Sequence, residues 1–77
     1  MDNEQTKKYN ELIKKHEILS KRYQELEKLE NELQNNKKIS PEKRLENLDK
    51  LAQEYEKVAK LMKEIAAEAQ ELSDSIK

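Results

Sequence analysis

Leucines recur every seven residues along the first half of the chain, at positions 12, 19, 26 and 33. That strict spacing marks one line along an α-helix, the d position of a heptad. The a positions are then Tyr9, His16, Tyr23 and Glu30, and Ile13 and Leu29 flank the same face at e and g. The pattern predicts a helix over about residues 3–35, roughly 50 Å long. Asp2 or Asn3 can cap its start, and Gln5 stands where a capping-box partner belongs if Asp2 is the cap.

The second half repeats the theme with a broader apolar stripe. Its a positions are Leu48, Tyr55, Met62, Ala69 and Ile76, and its d positions are Leu51, Val58, Ile65 and Leu72. Its e positions, Ala52, Ala59, Ala66 and Ser73, line one edge with small side chains. Small side chains let another helix approach to about 8 Å or closer. Leu45 and Leu61 widen the face further, and the predicted helix covers about residues 41–75.

The two patterns do not join. Continued past Leu33, the first heptad would bring Lys37, Ser40 and Arg44 into its core. The segment Asn35–Pro41 reads as the break. Asn is the best residue after Gly for a left-handed helix end, and Ser40 is a good N-cap that puts Pro41 at the first helical position. A turn over about residues 36–40 between helices of similar length makes them antiparallel neighbours. The expected fold is therefore all-α: one domain over residues 1–77, an antiparallel two-helix hairpin of coiled-coil type. The apolar stripe of the second helix is wider than a two-helix seam needs. The hairpin is thus expected to complete a four-helix bundle, by dimerisation or with a partner, rather than to stand alone.

Charge agrees with the antiparallel arrangement. Residues 1–22 carry six Lys/Arg against four Asp/Glu, and residues 64–77 carry one Lys against four Asp/Glu, so unlike ends lie side by side. Five Glu-to-Lys pairs stand four residues apart: Glu4–Lys8, Glu11–Lys15, Glu17–Lys21, Glu46–Lys50 and Glu56–Lys60. Each pair of this kind adds about 0.3 kcal/mol to a helix. Overall, 43% of residues are charged and 34% are hydrophobic, a balance that raises disorder. The formal net charge of −1 and the periodic placing of the apolar residues turn the same composition into that of a long-helix protein.

Absences bound the chemistry. With no Gly there is no phosphate-cradling loop or nucleophile elbow, and with no Cys there is no disulfide, thiolate metal site or thiol nucleophile. One His cannot make a multi-His metal site within a chain, and three residues before His16 stands Ile13, not the Glu of a di-metal bundle. No Ser–His–Asp set finds a pocket on two rods. The chain is expected to be non-enzymatic, with no catalytic residues, cofactor or metal. No run of 18 apolar residues offers a membrane span, and the polar start Met1–Gln5 is unlike a signal peptide, so the expected compartment is the cytoplasm.

Five sets of residues remain as candidates. The interaction surface is expected at Leu51, Ala52, Tyr55, Val58, Ala59, Met62, Ile65, Ala66 and Leu72. The basic tip, Lys37, Lys38, Lys43 and Arg44, offers a contact patch for phosphate or an acidic partner, or simply a solvated loop that complements the first helix's C-terminal dipole. His16 is a polar a-position residue that sets register, or a pH- or metal-sensitive point of a seam. Glu30 faces solvent near the tip or meets Lys43 or Arg44, and the three tyrosines are seam packing or interface anchors.

The architecture resembles small helical hairpins in general, such as Rop-type RNA-binding dimers and small export co-chaperones, a likeness of fold that licenses little about function. The expected function is a protein–protein interaction module working through its apolar helix face. Such a module fits a small bacterial or phage regulator, inhibitor or adaptor that pairs with itself, as a homodimer, or with a protein partner. The alternatives are a Rop-like RNA-binding dimer, disfavoured by the net charge, and a small chaperone or structural part of a secretion or virion assembly.

Overall fold

The computed structural model describes residues 2–76 and contains two helices, α1 (Asn3–Asn35) and α2 (Pro41–Ile76), packed against each other as a hairpin. Its Cα atoms fill a rod of 56 × 15 × 13 Å. Helix boundaries follow the local chemistry. The Asp2 carboxylate accepts a hydrogen bond from the Gln5 backbone N–H at 2.8 Å, and the Gln5 side-chain oxygen accepts from the Asp2 N–H at 3.1 Å. This reciprocal capping box satisfies two donors that α1 leaves unpaired at its start. At the head of α2 the Ser40 hydroxyl accepts from the Lys43 N–H at 3.3 Å, with Pro41 in the first helical position.

The end of α1 departs from expectation. No described residue has positive φ, so the helix does not close through a left-handed Asn. Asn36 is extended instead (φ −86°, ψ 97°). Its side-chain oxygen accepts from the Lys38 N–H at 3.1 Å, and its carbonyl accepts from Arg44 Nη2 at 2.7 Å. The guanidinium does the work of a left-handed cap by satisfying a carbonyl just beyond the helix's negative end.

The core is a single line of d-position side chains. Leu12, Leu19 and Leu26 of α1 meet Leu51, Val58 and Leu72 of α2, and all six are buried. Leu26 is the most enclosed at 1% exposure and clusters with Leu51 and Val58, and Leu33, Leu48, Tyr55 and Met62 pack against that cluster. The a positions are consumed unequally. On α2, Leu48, Tyr55 and Met62 are half-buried, whereas on α1 Tyr9, His16 and Tyr23 stay exposed. His16 is therefore not a core residue of the hairpin: the helices meet along d, and the α1 a-positions lie beside the seam rather than in it.

Candidate functional site

A line of contact along d leaves two flanks, and their chemistry differs. One flank is lined by the g positions. Here Lys15 Nζ meets Glu68 Oε2 at 3.5 Å, Arg22 Nη2 meets Glu54 Oε2 at 3.3 Å, and Gln5 Nε2 donates to Ser75 Oγ at 3.3 Å. These three contacts tie α1 to α2 across the seam. Glu54 also receives Lys57 Nζ at 3.2 Å, and Arg22 Nη1 reaches Glu25 at 3.4 Å. Hydrogen bonds from Lys57 and from Arg22, reinforced by their charges, hold the Glu54 carboxyl below the usual carboxylate range. Ile18, Leu29 and Leu61 are the exposed apolar residues of this side.

The five expected Glu–Lys pairs are not among the ion pairs of the described residues. Lys15 reaches across to Glu68 rather than back to Glu11. The intrahelical ion pairs of the described residues form at i,i+3 instead, Arg22–Glu25 and Glu54–Lys57, and solvated pairs of this kind are too weak to fix one partner over another.

The other flank is lined by the a and e positions. Tyr23 and Tyr55 pack edge to face, ring centroids 5.5 Å apart at 67°. The Tyr55 hydroxyl donates to Glu30 Oε2 at 2.9 Å. Glu30 thus meets Tyr55 rather than solvent, Lys43 or Arg44. Loss of water around the phenol, the hydrogen bond to Glu30 and nearby negative charge push the Tyr55 hydroxyl up to about 12. Either side of this polar knot the flank exposes apolar side chains among its charged ones. Toward the open end, Tyr9, Ile13, His16, Ala69, Ser73 and Ile76 line a shallow groove floored by Leu12 and Leu72. Toward the tip, Leu45 is 68% exposed.

The candidate interface residues divide accordingly. Leu51, Val58 and Leu72 are buried in the hairpin's own core and have little surface to offer. Tyr55, Met62 and Ile65 are half-buried. Ala52, Ala59 and Ala66 are exposed, in one row along α2. Tyr9, Ile13, Tyr23, Leu45 and Ile76 stood outside the expected interface set, although the tyrosines were read as seam packing or anchors and Leu45 as widening the α2 face, and all five are exposed large side chains on this flank. Their a and e positions carried the signal, since a seam closed on d leaves a and e uncovered.

No family model, curated protein or solved structure matches this chain. Its chemistry must be read from the geometry alone. Among the described residues, no group of three or more His, Asp or Glu is placed to hold a metal ion, and no helix is long and apolar enough to cross a membrane. At the tip, Lys37, Lys38 and Lys43 point to solvent, while Arg44 is half-buried and engaged with Asn36. Arg44 Nε is buried without a hydrogen-bond partner.

Proposed function

We propose that this hairpin is a non-enzymatic protein–protein interaction module that works through the a/e flank of its seam. The observation that carries the reading is the asymmetry of the two flanks. One is tied across by three polar contacts, and the other exposes Tyr9, Ile13, Tyr23, Leu45 and Ile76 beside a row of alanines. Aromatic anchors next to small residues suit a helix laid along the flank, as in helix-in-groove recognition and bundle assembly. A four-helix bundle, formed with a second copy or with a partner's helices, is the architecture that covers it. A small cytoplasmic regulator, inhibitor or adaptor is the role that fits a body with one docking face and no pocket chemistry.

An RNA-binding reading leans on the tip, where three solvated lysines on a chain of net charge −1 would bind phosphate weakly and with strong salt dependence. The flank gives the sharper test. Ala59→Arg with Ala66→Arg places two guanidinium groups on exposed positions that the hairpin core does not use. The variant should keep the helicity of the parent and weaken association at least about tenfold, the order of effect of removing one interface anchor. Light scattering and capture from the host lysate, parent beside variant, provide the measurement. Equal masses and equal captured proteins would sink the reading.

A further inference from the structure

The geometry points to a second copy of this chain as the occupant of the a/e flank, laid on it with its tip at the opposite end. This inference rests on the proposal that the flank is a docking surface and adds the partner and its orientation. Three observations carry it.

The first is area. A flank of a rod 56 × 15 Å has a footprint on the order of 800 Å², room enough, when fully covered, for one partner's share of a standard stable interface. A single foreign helix, about 10 Å across, covers only part of a face that two helices build. A second hairpin has the matching width and length.

The second is symmetry. On α1, Tyr23 and His16 straddle the point between residues 19 and 20, as do Glu30 and Tyr9. On α2, Leu48 and Ala69 straddle the point between residues 58 and 59. The Tyr23–Tyr55 ring contact sets these two points level in the hairpin. One two-fold axis across the flank therefore passes through both. It lays Tyr23 on the partner's His16, Leu48 on the partner's Ala69 and Glu30 on the partner's Tyr9, so large meets small and carboxylate meets phenol. Ala59 falls beside the axis, facing its own copy. With the tips together, α1 would lie on the partner's α2 instead, and Glu30, bonded to its own Tyr55, would face the partner's Leu48, an apolar group that takes water from the carboxylate and adds no donor.

The third is charge. In the tip half, the a, b and e positions hold Glu27, Glu30, Glu42, Asp49 and Glu56 and no Lys or Arg. In the open half the same positions of the described residues hold Asp2 and Glu17 against Lys63. Tips together bring two acidic halves face to face, whereas opposed tips set each acidic half on a nearly neutral one.

The chain has no Cys, so one engineered thiol is a unique reporter. Ala59→Cys, oxidised in a glutathione buffer, should yield disulfide-linked dimer as the main product on a non-reducing gel, since a disulfide needs Cα atoms within about 7 Å. Ala69→Cys should stay unlinked, about 30 Å from its own copy along the helix. In a mixture of Ser20→Cys and Ala59→Cys chains, links between unlike chains mark the tips-together arrangement and overturn the orientation. A monomeric mass at every concentration up to the millimolar range overturns the second copy. It leaves the docking-face proposal to its own test with the Ala59→Arg, Ala66→Arg variant, which fails only if mass and capture are both unmoved.

Discussion

The two flanks of the hairpin start from the same seam and end as different surfaces. The g flank spans the gap with long charged side chains, Lys15 to Glu68 and Arg22 to Glu54, whose charged ends stay in water. Such contacts set register and cost little when they break. The a/e flank meets water with tyrosine rings, isoleucine and alanine. Its one interhelical polar contact among the described residues, Tyr55 to Glu30, is half-buried. A hairpin needs only one line of packing, so a second apolar line is surplus to holding two helices together. The difference teaches that heptad position shapes which surface is left over: most d side chains are spent inside, g carries the ion pairs beside exposed Ile18, Leu29 and Leu61, and the α1 a-positions and the α2 alanine row remain.

The largest expected effect comes from the line that both flanks share. Leu26 is 1% exposed, and Leu26→Ala should cost about 2–5 kcal/mol through lost burial and a cavity. A core of this size supplies about 3–5 kcal/mol in total, so the isolated hairpin should lose cooperative melting at 25 °C, followed by circular dichroism. The same variant sharpens the comparison of flanks. If the a/e flank is covered by association, raising the protein concentration should restore part of the lost helicity, because an oligomer's stability depends on protomer concentration. Loss of helicity that ignores concentration would assign the flank no share in stability.

Much of the fold was legible before the structure. The leucines at 12, 19, 26 and 33 marked the seam, Asp2–Gln5 and Ser40–Pro41 marked both helix starts, and the heptad break placed the turn. Three features were not legible, each because it depends on how one helix sits against the other. Heptad reading treats a and d as one core, and only the hairpin shows α2 using both while α1 keeps Tyr9, His16 and Tyr23 outside. The Glu30–Tyr55 pair needs an interhelical register that neither heptad states. The end of α1 was expected to close through a left-handed Asn, and instead Arg44, eight residues on, satisfies the Asn36 carbonyl from the next helix. The candidate interface was half legible for the same reason: the alanine row was visible as an edge, but Leu51, Val58 and Leu72 were already committed to the core.

A smaller effect tests the polar knot of the a/e flank. Tyr55→Phe keeps the ring against Tyr23 and removes the donor to Glu30. The variant should melt a few degrees lower, since Glu30 loses its partner in a half-buried position. It should also change the alkaline limb. The Tyr55 hydroxyl ionises at about 12 in the folded chain against an ordinary value of 10.0. An acid whose folded value is raised holds its proton more tightly when folded. Its contribution is complete below the ordinary value and is lost as pH rises through the folded one. The parent should therefore lose stability between pH 10 and about 12, and the difference between parent and Tyr55→Phe should shrink over that window. A constant difference there would show that the hydroxyl is not engaged.

The smallest effect belongs to the g flank and carries the opposite sign in pH. Glu54→Gln removes a half-buried carboxylate that gathers the exposed Arg22 and Lys57. Because the folded carboxyl lies below its ordinary value of 4.5, its contribution is present above that value and disappears as pH falls through the lowered one. Parent and variant should therefore differ at neutral pH by less than the Tyr55→Phe difference and converge in acid. They should also converge at neutral pH in about 1 M salt, where screening reaches down to roughly 3 Å. Salt should not erase the Tyr55→Phe difference, since that contact is half-buried. If both differences faded equally with salt, the two flanks would be held by the same solvated electrostatics. The contrast between a zipped flank and an open apolar one would then lose its energetic basis.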